Sequence, residues 1–117
     1  MSEQTQSEQI EISMDHAKYL VTKRDQMQRL IKNPDFDELI TRGYFDTEAS
    51  RLVMAKAELD EASQAKLDKQ IDAVGYTRLF LRNILQMGDM AERDILADAD
   101  ELALAEQEEQ IAEETGA

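Results

Sequence analysis

Pro34 is the only proline in 117 residues, and just four glycines share the work of punctuation. A fold of many short strands needs a turn signal roughly every 8–12 residues, so a chain this sparsely punctuated is confined to helices. The remaining composition agrees, because Ala, Leu, Glu, Gln, Asp, Lys and Arg dominate and most of these are good helix formers, while six residues are aromatic and none is Trp. An all-α fold is predicted. A domain of this length buries only about 65% of its extended surface, so oligomerisation is a natural way to thicken its core.

Residues 1–12 are polar and rich in Ser, Gln and Glu, which predicts a mobile tail. Ser13 is placed to cap a first amphipathic helix over 14–31, with Ala17, Leu20, Val21, Met27, Leu30 and Ile31 mostly on one face. Asn33-Pro34 reads as an N-cap followed by Pro at the first helical position, and Asp35, Asp37 and Glu38 complement the helix dipole. Phe36, Leu39 and Ile40 supply its apolar stripe, and Gly43 is placed to close this short helix in a left-handed conformation. Asp46 or Thr47 then caps a third helix running to about Leu59, and Asp60 to Ser63 forms a break.

From Ala65 to Met87, the residues Leu67, Ile71, Val74, Arg78, Leu81 and Leu85 alternate steps of four and three, a heptad seam that only Arg78 interrupts. Gly75 sits inside it, which predicts close approach of a neighbouring helix. Phe80 and Ile84 widen the stripe and mark this helix as central. Gly88-Asp89 reads as a last boundary, with Asp89 and Glu92 resembling a capping box. Beyond it Ala91, Ile95, Ala99, Leu102 and Ala105 form a narrow apolar face, and the crowded acids predict fraying from Glu106 onward. The expected architecture is a small antiparallel bundle of four to five helices with a long central helix and a projecting acidic C-terminal helix. Its parts are a disordered tail at 1–12, a helical domain at 13–88 and the acidic helix at 89–117.

The net charge of −13 is uneven. Residues 1–88 carry 15 acidic groups against 12 basic ones, whereas residues 89–117 carry 11 against Arg93 alone. Such a field repels nucleic acid and anionic lipid, whose binding rests on cationic contacts to phosphate. It suits a basic protein partner or imitation of DNA. No signal peptide and no spanning helix are read from the sequence, and the absence of Cys excludes disulfides and thiolate chemistry, so a soluble cytoplasmic protein is expected.

No Walker loop, nucleophile elbow, dinucleotide fingerprint or His/Glu metal motif is present, and no cofactor or metal is expected. His16 reads as a surface residue, and the carboxylates at Asp35/Asp37/Glu38 and Asp98/Asp100/Glu101 read as solvated helix faces, since neither set follows a calcium-loop pattern. Met14, Met27, Met54, Met87 and Met90 lie at or near apolar stripes, as gap fillers or as a plastic partner groove. Tyr44 and Phe45 read as core anchors or as an aromatic hot spot. The candidate partner-binding residues are therefore Tyr44, Phe45, Leu67, Ile71, Val74, Leu81, Leu85, Asp94, Asp98 and Glu101.

The segments NPDFDELITRGYFDTEASRLVMAKAEL and QIDAVGYTRLFLRNI carry a pattern: an acidic Pro-led turn, GYF-x-x-EA-x-RL, then a long helix with an Ile-Gly-like middle. Over residues 14–96 this resembles a family of small, acidic, helical proteins of tailed bacteriophages. The resemblance implies a non-enzymatic protein-binding role in head or virion assembly, as an accessory or scaffold-like chaperone, in the host bacterial cytoplasm or the virion. A homodimer through the Leu67 to Leu85 seam is one form this takes. The alternative from the charge pattern is an acidic DNA mimic that inhibits a host DNA-binding, defence or transcription protein.

Overall fold

The computed structural model describes residues 5–116, which are helical almost throughout and contain no strand. The elements are α1 (Gln6–Ile31), α2 (Pro34–Phe36), a π-helical segment (Asp37–Glu48), α3 (Ala49–Lys56) and α4 (Glu61–Glu114). The chain divides into two compact units, one of residues up to Arg24 with those from Gln86 onward, the other of Asp25–Leu85. This division differs from the expected one at residue 88, because the acidic end belongs with the start of α1.

In the first unit the two helical stretches run antiparallel. Ser7 Oγ donates to Glu109 Oε1 at 3.0 Å, Ser13 Oγ to Asp98 Oδ2 at 3.2 Å, and Arg24 Nη1 to Asp89 Oδ1 at 3.0 Å and Glu92 Oε2 at 2.9 Å. Burial follows the same pairing: Ile10 and Ala17 on α1 and Ala91 and Ala105 on α4 are all buried. Along α4 the sheltered positions 88, 91, 95, 98, 102, 105 and 109 step by three and four, as a seam between two helices requires. Small residues at this seam let the backbones come close.

Three expectations fail here. Residues 6–12 are helix rather than mobile tail, and residues 1–4 of that tail lie outside the described residues. The expected boundary at Gly88-Asp89 is absent, since α4 runs through it to Glu114 without fraying at Glu106. The acidic stretch does not project, because its apolar face is covered by α1. Gly88 serves close approach instead: a Cβ there would overlap Arg24 Cβ and lie 2.8 Å from Arg24 Cγ. The role expected of Gly75 thus falls to Gly88, for Gly75 has nothing within 4 Å of an added Cβ.

In the second unit Asn33 caps the next helix as expected, its Oδ1 accepting from the backbone N–H of Asp35 at 3.0 Å and of Phe36 at 3.2 Å. Replacing it with Ala is expected to cost about 1 kcal/mol, read as a lowered thermal midpoint in circular dichroism. No second start follows at Asp46 or Thr47. The chain stays helical from Pro34 to Lys56, and the described residues form three helical stretches rather than four or five separate helices. Gly43 is not a left-handed stop either, since Gly116 is the only described glycine with positive φ.

Gly43 lies inside the π-helical segment, where an added Cβ would stand 2.7 Å from the carbonyl oxygen of Glu38, five residues back. Five residues is the hydrogen-bond step of a π-helix, so the missing side chain relieves the wider turn where it is tightest. The Asp37–Arg42 ion pair at 2.9 Å has the same spacing. Leu39, expected in an apolar stripe, is 69% exposed, because the changed period turns it outward. Leu52 on α3 is buried, as are Met27 on α1 and Val74 on α4. The break before α4 falls at 57–60, earlier than the expected Asp60 to Ser63, because Asp60 caps α4: its Oδ1 accepts from Ser63 N–H at 2.8 Å, and Gln64 Nε2 donates to the carbonyls of Lys56 and Leu59. Lys56 pairs with Asp68 at 2.7 Å across it.

Candidate functional site

The π-helical period decides which side chains share a face. Phe36, Thr41 and Phe45 recur at steps of five and four, close to the 4.4 residues per turn of such a helix, and all three line one groove of the second unit. Ile31 from α1 and Leu81 and Leu85 from α4 complete its apolar lining, and Arg78 and Arg82 contribute guanidinium groups. The groove has a volume of about 330 Å³. Its five apolar side chains are half-buried, whereas Thr41, Arg78 and Arg82 are exposed.

Arg78 and Arg82 stand one helical turn apart and make no ion pair with the described residues. Asp46 lines a smaller hollow with Arg78, Thr41 and Phe45 without bonding to the guanidinium. The groove therefore combines apolar surface left open to water with two cations that form no ion pair among the described residues. Chemically, that arrangement suits an amphipathic segment presenting both apolar and acidic groups.

Of the candidate residues, Phe45, Leu81 and Leu85 come together at this groove. Tyr44 is half-buried against Phe45, with ring centroids 5.6 Å apart at an interplanar angle of 48°. Leu67 and Ile71 are half-buried and Val74 is buried, so much of the seam expected to join two copies is already sheltered within one chain. Asp98 is tied to Ser13, while Asp94 and Glu101 are exposed on α4. The acidic candidates are not brought to the groove.

Sequence reasoning missed Arg82, Thr41 and Phe36 as groove residues; a 3.6-residue period sets Thr41 beside Phe45 but turns Phe36 to the opposite side of the helix. The Asp37/Arg42 pair, five apart, was the signal for the other period. It also missed Arg24, whose place in the run Ala17, Val21, Arg24 is that of a seam residue. Arg24 is 7% exposed, and its guanidinium holds the Glu92 carboxyl below the usual range by hydrogen bonding and then by charge. Glu48 is likewise lowered by its hydrogen bond to exposed Arg51, and Asp60 by the Ser63 backbone N–H.

A second hollow, in the first unit, is lined by Ser13, His16, Ala17, Leu20, Met87, Met90, Ala91 and Asp94. Among the described residues no group of three or more His, Asp or Glu is placed to hold a metal ion, and no helix is long and apolar enough to cross a membrane. Comparison with protein-family models, with curated proteins and with solved structures finds no match to this chain.

Proposed function

We propose that this chain is a non-enzymatic protein of bacteriophage head or virion assembly, working in the infected bacterial cytoplasm or the virion by binding another protein chain. The groove of the second unit carries the reading. Burying its apolar lining is favourable at about 25 cal/mol per Å², and the two arginines add the charged, orientable contacts that fix a partner's register. The phage setting comes from the resemblance in the sequence.

The DNA-mimic reading has one observation in its favour: α4 stays helical to Glu114, which holds Asp94, Glu101 and Glu108 at fixed heptad spacing on exposed positions. A capture experiment separates the two. Tagged full-length chain in infected cells is compared with R78E/R82E and with D94N/E101Q. The protein-binding groove predicts that the first variant retains at least tenfold less of the recovered phage protein at an unchanged thermal midpoint, with the second behaving as wild type. The reverse pattern, with retention falling steeply in salt, transfers the function to the acidic helix.

A further inference from the structure

The groove suits a segment that presents apolar groups with carboxylates beside them. Such a segment lies on this chain. Leu96, Leu104 and Ile111 on α4 are 70%, 61% and 50% exposed. At 100° per residue they fall within 80° of one another, with Asp100 between them and Glu108 alongside, on the side of the helix away from Ala91 and Ala105. This stripe is unlike an ordinary solvated face, which does not repeat large apolar residues over about two heptads.

We infer that the occupant of the groove is a second copy of this chain, which lays the stripe of Leu96, Leu104 and Ile111 over Phe45, Leu81 and Leu85 and brings Asp100 and Glu108 to Arg78 and Arg82. The inference rests on the reading of the groove as a protein-binding surface and names its partner. Charge complementarity carries it. Residues up to Arg24 and from Gln86 onward hold four basic against fifteen acidic groups, whereas Asp25–Leu85 is nearly balanced at nine against eleven and sets Arg78 and Arg82, which form no ion pair among the described residues, at the groove. Each copy therefore offers a carboxylate-rich apolar stripe and a cation-rimmed apolar groove. Repulsion between two chains of charge −13 is screened beyond a Debye length of about 8 Å at physiological salt. The contact pairs unlike surfaces, and it propagates unless two copies reciprocate it.

Sedimentation equilibrium of full-length protein at 0.15 M salt tests this with exchanged charges. Wild type is expected to self-associate, and R78E/R82E and D100K/E108K each to associate at least tenfold more weakly alone. Mixing these two variants matches the intact groove of one with the intact stripe of the other, and the reversed groove with the reversed stripe, so association returns. The chain carrying all four substitutions again self-associates. Each variant's circular dichroism melt, matching wild type, separates lost contact from lost fold. A wild type that stays monomeric to millimolar concentration, or a mixture that gives no complex, overturns the second copy as occupant. If R78E/R82E nevertheless loses a different phage protein in the capture experiment, the groove stands as a binding surface and only the identity of its occupant falls.

Discussion

Gly88→Ala is expected to lower stability by about 1–3 kcal/mol, the range for forcing an extra methyl into a packed contact, whereas Gly75→Ala raises it by about 0.5–1 kcal/mol. Helix propensity alone predicts a gain at both sites, because both glycines lie in the interior of α4. The difference comes from what a Cβ would meet. At Gly75 it meets nothing within 4 Å, while at Gly88 it overlaps the root of the Arg24 side chain. Rotating the tip of Arg24 relieves nothing, since the clash is with Cβ and Cγ, so the helices must part. Thermal melts of the two single variants check this, and equal gains at both positions would remove the close approach from the account.

Removing the carboxylates that serve Arg24 is expected to do more damage than removing Arg24. The guanidinium is nearly buried, with 9% of its side chain exposed, whereas Asp89 and Glu92 are 55% and 60% exposed. In Arg24→Met the two carboxylates return to water and the methionine stem fills the seam, so stability stays within about 1 kcal/mol of wild type. In D89N/E92Q a nearly buried cation faces two neutral amides in place of the carboxylates to which Nη1 donates, so this variant is the less stable of the two. Urea denaturation of the three proteins at neutral pH gives the order directly.

Acidification separates these proteins further. Arg24 holds the Glu92 carboxyl below its ordinary value, so the pair's contribution is fully present above the ordinary carboxylate range. It is lost as pH falls through the depressed native value. The stability of wild type therefore declines more than that of Arg24→Met between neutral pH and about pH 3. A parallel decline would show that the pair adds nothing to the seam.

The helical class was legible because it depends on summed propensity and on the scarcity of breakers, both properties of the sequence alone. Asn33-Pro34 and the cap at Asp60 were legible for a local reason: a capping oxygen and the N–H that donates to it lie within three residues. Gly43 and Gly88 were misread because glycine stops a helix in one context and admits a neighbour in another, and only the neighbour decides. At Gly88 that neighbour is Arg24, far away in sequence; at Gly43 it is the carbonyl of Glu38 in an unusual helical period. One wall of the groove was hidden by the same period. Phe45, Leu81 and Leu85 were found as apolar residues, but Phe36 joins Phe45 on one face only when the turn widens beyond 3.6 residues. Arg78 was noticed as a flaw in a seam, and it is one of the two cations at the groove.

The acidic end was read correctly as charge and wrongly as geometry. Its carboxylates suggested a stretch that would fray, yet Ala91, Ala105 and Ile10 are buried there and Ser7 and Ser13 hold Glu109 and Asp98. Contacts from α1 offset the repulsion that would melt an isolated helix of this composition.

A photoreactive benzoylphenylalanine placed at Thr41, with Gln70 as an exposed control outside the groove, tests the binding surface most directly. Thr41 is exposed on the groove's edge between Phe36 and Phe45, so a probe there lies within reach of whatever fills it. Irradiation of infected cells is expected to give a discrete covalent adduct with another protein chain from position 41 and none from position 70. An unmodified chain at position 41, or equal adducts from both positions, would contradict the groove as the surface through which this protein works.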